Sequence, residues 1–175
     1  MRNSSLTFFL ILFLSLQTRA EDSRWLAEAG VSYSQSGLYD DENSGLGVNS
    51  SFAYTPTLHW AAGLALLHFN LSNLIGRTSD YSTTPLALFG NYHFNEINNG
   101  AFLGPQLGAI IEERIGSRDG PNYLALRPGI GLQGGYNFKI HRALSVGPSG
   151  NFMMVFGKAA SYTLWALACR ASLKF

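Results

Sequence analysis

The chain has 175 residues, with 12 lysines and arginines against 11 aspartates and glutamates, and a formal net charge of +1. Only 13% of its residues are charged, against ~25% in an ordinary soluble domain. Because the charges balance and no basic block is present, the sequence lacks the basic surface that nucleic-acid binding requires. The single cysteine, Cys169, excludes a disulfide framework or a cysteine-based metal site.

Residues 1–20 have the pattern of a cleaved secretory signal peptide. Arg2 precedes an apolar run from Leu6 to Leu16, and small residues around Ala20 suit a signal peptidase. The run is too short for a transmembrane helix, which needs ~20 apolar residues. The sequence therefore predicts a signal peptide over 1–20 and one domain over 21–175.

The rest of the chain predicts an all-β fold, because no segment keeps a helical period and turn-forming residues recur at regular intervals. Eight strands are predicted, and their bounds are Arg24 to Gly37, Leu46 to Thr55, Leu58 to Phe69, Tyr81 to Phe94, Ala101 to Glu112, Tyr123 to Phe138, Ala143 to Phe156 and Tyr162 to Phe175. The connections alternate between tight turns and longer loops, with a short last loop. This rhythm predicts an antiparallel up-and-down meander with its turns at one end and its loops at the other.

The sixth predicted strand separates its two faces most cleanly. Leu126, Ile130 and Leu132 share one face, and the other carries mainly glycine and polar side chains. A polar face in contact with bulk water should be rich in lysine and glutamate, whereas this one is small and almost neutral. We therefore expect the apolar face to meet lipid and the polar face to fill the lumen of a closed transmembrane barrel, too narrow for an open pore.

Four charged side chains fall on the predicted inward face: Glu28, Glu112, Arg127 and Arg170. Buried charges need partners because an unpaired one is costly. The sequence therefore predicts a structural charge network in the lumen, with Glu28 and Arg170 paired across the seam between the first and last strands. A selective ion path is the alternative interpretation.

Three prolines, Pro105, Pro128 and Pro148, fall inside predicted strands, where each removes a hydrogen-bond donor. Bulges or strand ends would accommodate them. The alternative is a weakened wall that lets a lipid-like molecule pass sideways between lumen and membrane.

The last strand ends Leu173-Lys174-Phe175 after an alternation of apolar residues with Arg170, Ser172 and Lys174. With the signal peptide and the eight-strand meander, it resembles the small outer-membrane β-barrel family typified by OmpX and the OmpA transmembrane domain. The resemblance implies a bacterial outer-membrane location, insertion by the barrel-assembly machinery through Leu173 and Phe175, no cofactor, and a role in envelope structure, adhesion or surface defence. The loops are shorter than those of typical adhesins.

Some barrels of this size modify lipid A with a histidine, a serine and an acidic residue near the outer rim. Here only His68 is predicted near that rim, where Ser72, Ser79, Asp80 and Glu112 could approach it. It lacks a His-x-Ser arrangement, so we expect no enzymatic activity.

Arg77, Arg114 and Arg118 fall in neighbouring outer loops. Arginine suits phosphate, so these residues are predicted to contact lipopolysaccharide. The overall expectation is a monomeric barrel with a structural or surface-interaction role, surrounded by lipid and lipopolysaccharide. The alternatives are a small channel or lateral-diffusion transporter and, after that, a lipid A-modifying enzyme.

Overall fold

The computed structural model describes residues 24–37, 43–71, 80–115, 123–157 and 161–175, which form a closed barrel of eight antiparallel strands. In chain order the strands are β1 Trp25–Ser36, β2 Asn43–Tyr54, β3 Trp60–Leu71, β4 Asp80–His93, β5 Gly100–Ile115, β6 Tyr123–Lys139, β7 Leu144–Phe156 and β8 Ser161–Lys174. Each strand pairs with its neighbours in sequence, and β1 also pairs with β8. The predicted all-β, eight-stranded antiparallel fold is confirmed.

The predicted strand bounds are close to the observed ones, and the two largest extensions are at the loop end. Strand β2 starts at Asn43 rather than Leu46, and β5 continues to Ile115 rather than Glu112. The predicted signal peptide lies outside the described residues and stays a prediction. In the part of the chain that the structure describes, no helix is long and apolar enough to cross a membrane.

The two ends of the described chain close the barrel. At the seam, Gly30 lies opposite Arg170 and Glu28 opposite Ser172. Below these pairs, the Trp25 amide donates to the Phe175 carbonyl at 3.1 Å, and the Phe175 amide donates to the Trp25 carbonyl at 3.0 Å. The final residue therefore completes the hydrogen-bonded ring that leaves the sheet without a free edge.

The outside of the barrel is covered by large apolar side chains. Leu126 is 71% exposed, Ile130 52% and Leu132 54%, whereas the alternate residues of the same strand face inward. This is the reverse of a soluble protein, whose interior takes such residues. The predicted orientation, with apolar side chains outward, is confirmed, and this exterior suits hydrocarbon.

Aromatic rings gather at the end of the barrel that carries the tight turns. Trp25 stacks on Phe52 with ring centroids 5.1 Å apart, and Trp60 meets Tyr92 edge-on at 5.2 Å. Tyr136 and Phe138 lie 4.7 Å apart on β6. Outer-membrane barrels carry such rings where hydrocarbon meets headgroups.

The inside of the barrel has two layers rather than one. The half near the tight turns is mainly polar, whereas the half near the loops combines an apolar layer with buried polar side chains such as Glu112 and Thr83. This second layer is formed by buried side chains from β3, β5, β7 and β8: Leu67, Phe69, Ile110, Met153, Val155 and Leu164. The expectation of a polar lumen throughout is therefore wrong for this apolar layer, which shares the loop half with the polar side chains. An eight-stranded barrel is filled by its own side chains, and apolar ones fill a dry interior without needing partners.

The three prolines all point outward. Between β4 and β5 the register is the same on both sides of Pro105, since Phe89 faces Gln106 and Tyr92 faces Leu103. The two pairs between them are missing from the hydrogen-bonded ladder of these described strands. A similar gap between β6 and β7 includes Pro148. The expectation of bulges is wrong at these two sites, because an unchanged register leaves no extra residue.

Gly104 on β5 allows close contact with β4. A Cβ at this position would meet the Gly90 carbonyl oxygen and would lie 2.5 Å from Asn91 Oδ1. We expect Gly104→Ala to lower the free energy of unfolding by about 1–3 kcal/mol, because the backbones would have to separate. The measurement is urea unfolding in lipid vesicles.

Gly90→Ala is the matched control, because a Cβ there meets nothing within 4 Å. Its effect should stay within about 0.5 kcal/mol. Equal effects of the two substitutions would show that the loss comes from glycine flexibility and not from the close contact.

Candidate functional site

A buried ion pair lies in the polar half of the lumen. Arg170 Nη1 lies 2.8 Å from Glu28 Oε2, and the two side chains are 5% and 6% exposed. The hydroxyls of Ser51 and Ser172 also donate to the Glu28 carboxylate, at 2.6 and 2.9 Å. The Glu28 charge is therefore matched by one cation and two hydroxyl donors, and the pair joins the first and last strands.

The Arg170 guanidinium has two further contacts. Its Nη2 donates to Asn137 Oδ1 at 3.3 Å, and its Cζ lies 4.1 Å from the centre of the Phe102 ring. A cation over an aromatic face is held by the ring quadrupole. These contacts fix the guanidinium from β5, β6 and β1 together.

Four amide side chains lie next to this pair and link β4, β5, β6 and β7. Gln106 Nε2 donates to Asn151 Oδ1 at 2.7 Å and to Gln133 Oε1 at 3.2 Å. Gln133 Nε2 donates to Asn91 Oδ1 at 2.8 Å. This amide layer is not predicted from the sequence, although its members lie on the inward phase of their strands.

The turn between β4 and β5 forms a floor across the barrel. Ile97 is only 2% exposed, and its amide donates to the Leu58 carbonyl at 3.1 Å. Asn137 Nδ2 donates to the Ile97 carbonyl at 2.7 Å, and Asn98 Nδ2 to the Arg142 carbonyl at 3.1 Å. The turn thus closes this end of the lumen, which the strand pattern could not indicate.

The second ion pair lies toward the loop end. Arg127 Nε lies 2.7 Å from Glu112 Oε2, and the Glu112 side chain is 1% exposed. The Tyr162 hydroxyl donates to the other Glu112 oxygen. The four inward charges therefore form two separate pairs, one with partners on β1 and β8 and one on β5 and β6.

Little space remains between these groups. A cavity of about 10 Å³ lies in the apolar layer, next to Leu67, Phe69 and Met153. Sites for small molecules usually measure ~300–1,000 Å³. This part of the lumen has room for about one water molecule.

Glu112, one of the residues that could have approached His68, lies on the opposite side of the barrel wall. His68 faces outward, where its Nδ1 lies 2.8 Å from Thr84 Oγ1, whereas Glu112 faces the lumen. Ser72 and Ser79 lie outside the described residues, as does the side chain of Asp80. Among the described residues, no group of three histidine, cysteine or acidic side chains could hold a metal ion.

The predicted lipopolysaccharide contacts are largely outside the described residues. Arg77 and Arg118 lie in undescribed loops, and only the backbone of Arg114, within β5, is described. Phe175 and Leu173 are both in place at the closing seam, where Leu173 pairs with Ala27 and Leu144.

No protein-family model matches this sequence, and no curated protein matches it either. Solved structures match over most of their length. Neisserial surface protein A superposes with a TM-score of 0.73 and 11% identity over 86% of this chain and 97% of its own. Ail of Yersinia pestis, crystallised with the heparin analogue sucrose octasulfate, superposes with a TM-score of 0.64 and 13% identity. The match covers 87% of this chain and 99% of Ail. OprG of Pseudomonas aeruginosa superposes with a TM-score of 0.54 and 13% identity, over 87% of this chain and 96% of OprG. The chain therefore has the fold of the small eight-stranded outer-membrane β-barrels.

Proposed function

We propose that this protein is a monomeric integral barrel of a bacterial outer membrane, with a structural or surface-interaction role in the envelope. The observation that carries the proposal is an apolar exterior around a filled lumen: Leu107 is 60% exposed, while Glu28 and Arg170 are buried within. Its neighbours are then outer-membrane lipid and lipopolysaccharide, and the barrel-assembly machinery inserts it by reading Leu173 and Phe175. The tight turns face the periplasm and the loops face outward.

A passive lumen is supported by three successive layers. The Ile97 turn forms the floor, the Glu28–Arg170 pair and the amide side chains lie above it, and the apolar layer around Phe69 follows. A conducting path would have to displace paired charges and packed rings. The function is therefore assigned to the surfaces of the barrel.

The loop end is the proposed interaction surface. Ail, which shares the fold, was crystallised with a heparin analogue, and this supports a role for barrels of this shape in presenting outer surfaces to ligands. In this chain we assign Arg77, Arg114 and Arg118 to contacts with lipopolysaccharide phosphates, since arginine binds phosphate through paired donors.

One observation favours the second candidate, lateral diffusion of a lipid-like molecule. Among the described strands, the ladders between β3 and β4, between β4 and β5 and between β6 and β7 each lack two pairs beside a proline. Fast amide exchange in lipid would support a gate at these sites if it is confined to the residues across from and next to the prolines, which are Leu67, His68, Gly90, Asn91, Tyr136 and Asn137. Uniform protection along the strands would exclude it. The apolar cavity of about 10 Å³ favours the structural role.

Electrical recording in planar bilayers tests the proposed function. The purified barrel should insert from detergent and show no large stable conductance steps, because the floor and the paired charges block the lumen. Insertion is checked independently by flotation with lipid vesicles. Stable openings from inserted protein would overturn the passive lumen, and protein that stays soluble without detergent would overturn the membrane location.

A further inference from the structure

A recess of about 260 Å³ lies at the tight-turn end of the barrel, below the floor formed by Ile97 and Asn98. Three turns and the end of β8 surround it. Its charged lining consists of Lys139, Arg142 and Lys174 with a single carboxylate, Glu96. This part of the surface therefore has an excess of positive charge within a concave site.

The two lysines belong to the inward-facing phase of their strands. Lys139 follows Asn137 by two residues on β6, and Lys174 follows Ser172 by two residues on β8, and both of these preceding residues are buried in the lumen. Lysines that contact lipid headgroups extend from the outward phase. These two instead line the central mouth of the barrel.

Glu96 lies beside one of the two lysines. Its Oε2 lies 3.6 Å from Lys139 Nζ, and the two side chains are 60% and 42% exposed. An exposed pair at this distance contributes little to stability, in the range of about 0–1 kcal/mol. An incoming anion can therefore take the place of the Glu96 carboxylate beside Lys139.

We propose that this recess binds the oxyanion group, phosphate or carboxylate, of a soluble periplasmic molecule. The proposal rests on the orientation given above, which places the tight turns in the periplasm. Because Ile97 closes the lumen above the recess, a ligand can enter only from that side. The inward phase of Lys139 and Lys174 favours a soluble ligand over a headgroup of the surrounding lipid.

The test is an NMR titration of the barrel in an uncharged detergent, first with inorganic pyrophosphate and then with the dipeptide Glu-Glu. We expect saturable shifts of the Ile97, Asn98, Lys139 and Lys174 amides with at least one probe, weakening as salt is raised. A phosphate-type ligand favours the first probe, and a carboxylate-type ligand favours the second.

Variants of single charges locate the site. Lys139→Gln and Lys174→Gln should each raise the Kd of the effective probe about two- to five-fold, and Glu96→Gln should lower it by a similar factor. Arg24→Gln is the matched control: Arg24 lies at the same end of the barrel and is exposed, 3.2 Å from the Tyr54 hydroxyl, but it does not line the recess. Its removal should leave the Kd unchanged.

Equal weakening by Arg24→Gln, or no saturable shift with either probe, would overturn the inference. The same samples are checked for insertion into lipid vesicles. A barrel that inserts but binds neither probe refutes the recess alone, whereas a barrel that does not insert refutes the proposed function.

Discussion

Replacement of Arg170 by methionine should lower the free energy of unfolding by about 3–5 kcal/mol, because it leaves the Glu28 carboxylate buried without its cation. The two Glu28 hydroxyl donors, Ser51 and Ser172, remain. They are neutral and cannot replace a guanidinium whose Nη1 lies 2.8 Å away. Urea unfolding of the barrel in lipid vesicles measures the loss.

The double variant Glu28→Gln with Arg170→Met separates the cost of an unpaired charge from the value of the pair. It removes both charges, and the amide of the new glutamine still offers Ser51 a hydrogen-bond acceptor and a donor. We expect it to recover more than half of the single-variant loss, since an ion pair replaced by neutral groups of similar volume is often tolerated.

Lys139→Met is the control for loss of a cation as such. Lys139 pairs with Glu96 at 3.6 Å in an exposed position, so its replacement should cost less than about 1 kcal/mol. If Arg170→Met cost no more than this control, water would have to reach Glu28 in the folded variant, and the lumen could not be dry at that level.

The alternation of residues along the strands was enough to predict the Glu28–Arg170 pair. The two-residue period places Glu28 and Arg170 on one face, and closure of the barrel brings the first and last strands together. The two-residue period could not predict that Glu28 and Arg170 form one ion pair and Glu112 and Arg127 another. That separation depends on what fills the space between them, which is set by contacts between strands distant in sequence.

The apolar layer and the floor escaped prediction for related reasons. A two-residue period identifies two faces of a strand, but β3 carries apolar residues on both, with Leu66 outward and Leu67 and Phe69 inward, so its pattern could not indicate an apolar layer in the lumen. The burial of Ile97 depends on how a short turn folds back toward the β2–β3 turn and β6. The turn sequence Asn95-Glu96-Ile97-Asn98-Asn99 indicates a tight connection but not the direction in which it folds.

Leu132→Arg should lower the free energy of unfolding in a bilayer by about 2–4 kcal/mol, the cost of a cation at the midplane on the lipid face of a barrel. Leu132 is 54% exposed on the outside of β6. It lies four residues from Tyr136 at the aromatic end of the strand. At ~3.3 Å per residue and a tilt of ~40°, this places it about 10 Å from that interface, near the middle of a ~25 Å apolar band.

Leu124→Arg is the matched control on the same face of the same strand. Leu124 is 73% exposed and lies eight residues further toward the loops, about 20 Å higher by the same geometry. An arginine there reaches headgroups or water, so the cost should fall to about 0–1 kcal/mol. In a protein with a water-exposed exterior, both substitutions would be close to neutral, because each exchanges an exposed leucine for a hydrated charge. A depth-dependent difference between two identical substitutions therefore requires hydrocarbon around Leu132, and its absence would refute the membrane-spanning orientation.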